Sequence, residues 1–270
     1  MQRASVWVGC GVVVLLAMNF CVENVFIAKS TKFEADALQR RSRSMPEVEM
    51  PRDAFVITMN NASGWQAALE LQRGFEIENM QVLLGHAGNE SRLPLYNRYV
   101  MQTGRTDDLQ IGNLNMLGCL ESHREVWTRI RRTSYVFEHD AKPSVDGKRI
   151  VQSLLGDNRG SAWSVMLLSA REFVTGEHSS VGELSETCKN CIAFGTRGYI
   201  VTKAGAKILL DNYNPPVVQV DAYMSLLNTY HANFTLVWAR LSPVDWIPQP
   251  STVQDLSEWK SLNRWMKSPR

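Results

Sequence analysis

From residue 53 onward, short apolar runs alternate with stretches whose apolar residues recur at helical spacing. Ala54-Phe55-Val56-Ile57-Thr58-Met59 predicts a first buried strand, and Trp65 to Arg73 a helix that Gly74 would end. Gln81-Val82-Leu83-Leu84 predicts a second strand, followed by Gly85-His86-Ala87-Gly88. Residues 94–108 carry no clear pattern. Cys119 to Arg132 predicts a helix, with Leu120, Val126, Trp127 and Ile130 on its apolar side. Ser134-Tyr135-Val136-Phe137 reads as a buried strand that stops at Glu138-His139-Asp140. Downstream, strands are predicted within Ala162–Leu168, Gly198–Thr202 and Phe234–Trp238. Helices are predicted over Val145–Leu155, Lys203–Asn212 and Ala222–Tyr230. Strands alternating with helices imply an α/β domain with a largely parallel central sheet.

The first residues break this pattern. After Arg3, the 19 residues Ala4–Val22 carry no charge and are mostly apolar. At about 1.5 Å per helical residue they match the hydrocarbon thickness of a bilayer. The residues before Lys29 are Phe26-Ile27-Ala28, a poor signal-peptidase site. An uncleaved signal anchor over residues 1–28 is therefore expected, with a cleaved signal peptide as the alternative. Residues 29–52, with Arg40-Arg41-Ser42-Arg43-Ser44, Pro46 and Pro51, read as a stem. The folded domain is expected over 53–250, with a tail over 251–270. Basic residues beyond the apolar stretch weigh against a lumenal domain. Three sequons, at Asn61, Asn89 and Asn233, weigh for one. Together these features predict a single-pass type II membrane protein of the Golgi or ER lumen.

Composition narrows the function classes. The chain has 270 residues, 44% of them hydrophobic, and a net charge of +2. Such a balance gives no support to a nucleic-acid partner. Of the five cysteines, Cys188 and Cys191 form a single CxxC. Without a second pair, this reads as a local disulfide or two thiols rather than a zinc site. G-x-G-x-x-G and G-x-x-x-x-G-K are both absent from the sequence. No Ser-His-Asp arrangement suggests a hydrolase.

The candidate chemistry lies at Glu138-His139-Asp140. Open α/β folds bind ligands at the carboxyl edge of the sheet, and an acid-x-acid there offers hard oxygens to Mg²⁺ or Mn²⁺. That combination suits a metal–diphosphate, such as that of a nucleotide sugar. Glu138 and Asp140 face the same way only if the strand stays extended through Asp140. Asp221, between an apolar run and a helix, is a candidate general base, or the N-cap of that helix.

Several segments, in order, resemble glycosyltransferase family 25, the lipopolysaccharide and procollagen galactosyltransferases. Ala54-Phe55-Val56-Ile57-Thr58-Met59-Asn60 is similar to the family's opening strand and turn. Gly118-Cys119-Leu120-Glu121-Ser122-His123, followed by Val126-Trp127, resembles its Gly-Cys-x-x-Ser-His motif. Tyr135-Val136-Phe137-Glu138-His139-Asp140 resembles its strand ending in Glu-Asp-Asp. Gly198-Tyr199-Ile200-Val201-Thr202-Lys203-Ala204-Gly205-Ala206 and Val218-Gln219-Val220-Asp221 resemble two later segments. The resemblance runs from about Asp53 to about Ser251.

It implies a GT-A-like nucleotide-sugar fold and inverting transfer of a hexose, with galactose favoured. The donor would be a UDP-sugar and the acceptor a glycan or protein hydroxyl. It implies Mn²⁺ (or Mg²⁺) held by Glu138, Asp140 and His139, catalysis by Asp221 with Asp140, and substrate contacts from Ser122, His123, Asn60 and Tyr199. Ser122 and His123 could instead brace their helix against the sheet. Two departures stand out. His139 replaces the family's middle acid, and the turn after the first strand, Asn60-Asn61-Ala62-Ser63-Gly64-Trp65, lacks the family's Arg. Both fit an inactive, glycan- or partner-binding member as the alternative.

Overall fold

The structure, a computed structural model, describes residues 48–88, 114–169, 171–172, 177–189, 193–213 and 219–246. The apolar N-terminal stretch, the Asn89 sequon, Cys191 and the tail from residue 251 lie outside the described residues. By its contacts the chain divides after Pro46, and all described residues belong to the unit Glu47–Arg270.

An eight-stranded sheet organises this unit. Its strands are β1 (Asp53–Thr58), β2 (Asn79–Leu84), β3 (Ser134–Glu138), β5 (Val165–Leu167), β7 (Glu177–Ser180), β8 (Ser185–Lys189), β10 (Gly198–Val201) and β11 (Leu236–Ala239), in the spatial order β2-β1-β3-β10-β5-β11-β8-β7. Two short pairs flank it: β4 (Ala141–Pro143) with β12 (Val244–Trp246), and β6 (Arg171–Glu172) with β9 (Ala193–Phe194). The pairings β1/β2, β1/β3 and β5/β11 are parallel, while β10 is antiparallel to both of its neighbours. The sheet is therefore mixed, with β10 and β8 running against the other strands.

Helices cover both faces: α1 (Asn61–Phe75) and α3 (Gly147–Asp157) on one, α2 (Leu114–Arg129), α4 (Lys203–Asp211) and α5 (Val220–Tyr230) on the other. Strand alternation explains the split. The rings of Tyr135 (tilted) and Phe137 (stacked) of β3 pack on Phe75 of α1 at 5.6 and 5.7 Å. Val136 points the other way, into a core of Phe55, Trp127, Tyr199, Leu209 and Met224. Glu138 continues that parity and meets α2.

Local corrections to the sequence reading have plain causes. Gly74 does not end α1. The helix continues to Phe75 and stops at Glu76, whose φ of 54° turns the chain so that the Ile77 N–H closes on the Gln72 carbonyl at 3.0 Å. Asp221 is not an N-cap: α5 starts at Val220, behind Gln219, and Asp221 sits in the first turn with its side chain turned elsewhere. The strand does not stay extended through Asp140, because β3 ends at Glu138 and His139-Asp140 form a turn. The same-face geometry for the two acids is thus lost. No helix among the described residues is long and apolar enough to cross a membrane.

Candidate functional site

Three parallel strands, β1, β2 and β3, end along one edge of the sheet. Because β10 is antiparallel to β3, its entry turn Gly195-Thr196-Arg197 lies at that same edge. The Glu138 N–H donates to the Arg197 carbonyl at 2.9 Å, which fixes turn and acid strand together. Gly195 has a φ of 135°, a conformation only glycine adopts readily. It points its N–H at Asp221 Oδ2, 3.0 Å away.

The side chains here form one hydrogen-bonded chain. Trp127 Nε1 donates to the Tyr199 hydroxyl at 3.0 Å, and that hydroxyl meets His123 Nδ1 at 2.9 Å. His123 Nε2 meets Glu138 Oε1 at 3.3 Å. The Thr196 hydroxyl lies 2.9 Å from the same Glu138 oxygen and 3.0 Å from Asp221 Oδ1. Counting donors assigns the directions. Trp127 donates to Tyr199 and His123 donates through Nε2–H to Glu138, while the hydrogen shared by the Tyr199 hydroxyl and His123 Nδ1 follows the protonation of the ring. Thr196 has one hydroxyl hydrogen and two carboxylates beside it. A protonated Asp221 would donate to Thr196 and complete the chain. An ionised one leaves that hydrogen to serve both acids.

Electrostatics separate the acids. Burial raises the Asp221 carboxyl and the charge of Glu138 raises it further, while the Gly195 N–H and Thr196 partly offset both. Burial also works to raise Glu138, but the hydrogen bond and charge of His123, with Thr196 and Arg197, outweigh it and leave Glu138 below its ordinary value. Asp140 is raised by burial and by Glu138, against Arg197 and His139. Its Oδ2 lies 3.4 Å from Arg197 Nε. Its Oδ1 is buried without a hydrogen-bond partner. A buried carboxylate oxygen without a protein donor is costly unless a proton, water or a cation meets it.

Donor chemistry, rather than a gathered ligand set, separates the candidate residues for a divalent ion. Glu138 spends Oε1 on two donors, leaving Oε2, and Asp140 offers Oδ1. Such hard oxygens fit Mn²⁺ or Mg²⁺. His139 sits half-buried in the turn between them. Among the described residues, the three ligand atoms that lie within 4.8 Å of one another belong to Cys119, His123 and Glu138, and the predicted set Glu138, His139 and Asp140 is not gathered so closely. That trio suits an ion poorly. Burial and the three nearby acids push the Cys119 thiol well up, which disfavours the thiolate that an ion would need. Both His123 nitrogens are already engaged.

The Gly-Cys-x-x-Ser-His segment now has a physical explanation. A Cβ on Gly118 would sit 2.3 Å from the His86 carbonyl oxygen, so only glycine admits the loop after β2. Ser122 takes the His86 N–H at 2.8 Å and donates to the Gly118 carbonyl at 2.6 Å. Ser122 thus clamps that loop to α2, and His123 one residue on reaches the acids. Tyr199 is fully buried and holds His123. Asn60 caps α1, accepting from the Ala62 N–H at 2.9 Å. Asn61 and Asn233 are exposed. The structure brings His123, Glu138, Tyr199 and Asp221 into one network and leaves Asn60 outside it. Thr196 and Arg197 escaped the sequence reading. Their only signal was position, immediately before the strand at Gly198.

No family model matches the chain, and no curated protein matches it. Solved structures similar to it include the inositol-1-phosphate CTP transferase from T. maritima, at 9% identity and TM-score 0.39, covering 81% of this chain and 98% of that one. Another is a UDP-glucose pyrophosphorylase complexed with UDP-glucose, at 10% identity and TM-score 0.43, covering 81% and 99%. Likenesses at this level assign no activity to the chain.

Proposed function

We propose that this chain is a glycosyltransferase of the family 25 type, with a GT-A-like domain that transfers a hexose from a UDP-sugar to a glycan or protein hydroxyl. The observation that carries the reading is the bare, buried Oδ1 of Asp140 beside Glu138 at the carboxyl edge of the sheet. The collinear motifs of the sequence support it. Asp140 Oδ1 and Glu138 Oε2 are the oxygens that would hold a divalent ion. Bound there, it would offset the charge that develops on the departing diphosphate. His123 and Thr196 hold Glu138 ionised and in place. Asp221 takes the acceptor proton on this reading: its raised carboxyl is a stronger base than Glu138, and Gly195 and Thr196 orient it.

The proposed setting is a membrane-anchored protein with its domain in the Golgi or ER lumen. The exposed Asn61 and Asn233 sequons support it, as does Cys188, which is disulfide-bonded. A second reading, an inactive member that binds glycans or a partner, draws on His139 and on the Arg-free turn after β1. Calorimetric titration of UDP with and without Mn²⁺ separates the two. Metal-dependent affinity supports the enzyme, and its absence supports the binding module.

A further inference from the structure

Arg197 holds a place that no sequence motif assigns it. Its backbone carbonyl is fixed by the Glu138 N–H, so its side chain starts beside the acid strand. Its guanidinium reaches Asp140 Oδ2 at 3.4 Å, yet 28% of the side chain stays exposed. It therefore stands, partly exposed, beside Asp140 and within electrostatic reach of Glu138. The turn after β1, where a phosphate-fixing Arg would be expected, offers only Asn60-Asn61-Ala62-Ser63. A guanidinium binds carboxylate and phosphate oxygens alike, through the same planar set of donors.

We propose that Arg197 is the diphosphate-binding residue of this site and, before substrate arrives, the counter-cation of Asp140. This rests on the metal–diphosphate reading above. With no divalent ion, the guanidinium neutralises Asp140 through Oδ2. When a metal–diphosphate enters, the ion takes the carboxylate and Arg197 turns to the phosphate oxygens. Arg197 and the ion therefore compete for Asp140 in the free protein and cooperate once the nucleotide is bound. Arg197 supplies from the β10 side what the β1 turn lacks.

Two titrations of the full-length protein test this, for wild type, Arg197→Gln and Arg197→Lys. Thermal unfolding of each checks that the partly exposed side chain is dispensable for folding. In the first titration Mn²⁺ is added alone. A cation at 4–6 Å changes a carboxylate's affinity for a second cation by roughly ten- to a thousandfold, and partial exposure puts Arg197 at the low end. Arg197→Gln should therefore bind Mn²⁺ about tenfold more tightly than wild type. In the second, UDP is added at saturating Mn²⁺. Arg197→Gln should bind UDP about tenfold more weakly, with Arg197→Lys recovering part of the loss. Unchanged or weaker Mn²⁺ binding in a folded Arg197→Gln overturns the competition, and unchanged UDP binding overturns the phosphate role. A wild-type protein that binds neither Mn²⁺ nor UDP overturns the underlying site reading and this inference with it.

Discussion

Asp221 shows how one residue's environment sets its chemistry. Its two oxygens are spent on the Gly195 N–H and the Thr196 hydroxyl. A base must be ionised, and this carboxyl is raised by burial and by Glu138. Turnover should therefore fall as pH drops through a value above the ordinary carboxylate range, and recover as pH rises. Asp221→Asn keeps both contacts, since an amide oxygen can accept from Gly195 while the NH₂ donates to Thr196. That variant should fold normally and lose about 10²-fold or more in turnover, together with the acidic limb. A pH–rate profile checks this, and an unchanged limb would remove Asp221 as the base. The sequence marked Asp221 because an acid stood between an apolar run and a helix. It could not mark Thr196, a residue type common in turns, because the two carboxylates it bridges lie 58 and 25 residues away in the chain.

At the scale of elements, α2 connects the loop after β2 to the acid strand. Gly118 and Ser122 hold the loop, and His123 reaches Glu138. Gly118→Ala would drive a methyl group against the backbone oxygen of His86, which cannot swing away as a side chain could. Overpacking of this kind costs about 1–3 kcal/mol. The melting temperature should fall by several degrees, at about 2–4 °C per kcal/mol for a domain of this size. Differential scanning calorimetry measures it, and an unchanged transition would mean the contact is slack. Most elements were legible because a buried strand needs consecutive apolar residues and an amphipathic helix needs spaced ones. Strand direction was not legible. Gly198–Val201 has the same apolar pattern whether it runs parallel or antiparallel. Its antiparallel course is what brings Thr196 and Arg197 to the acids.

For the whole molecule, the sheet supplies an edge, and the edge gathers acids from β3, from the turn after it and from α5. The secretory setting makes a prediction at this scale. Removal of N-glycans from protein made in a eukaryotic secretory host should lower its apparent mass, with Asn61→Gln and Asn233→Gln each removing one step. Protein with no glycan at any sequon would contradict a lumenal domain. The central claim is that Asp140 and Glu138 bind a metal–diphosphate, and it meets its most direct test in UDP binding by wild type and Asp140→Asn, each with and without Mn²⁺. Wild type should bind UDP far more tightly with Mn²⁺ present, and a folded Asp140→Asn should lose that metal dependence. UDP affinity that ignores Mn²⁺, or that survives unchanged in Asp140→Asn, would contradict the account.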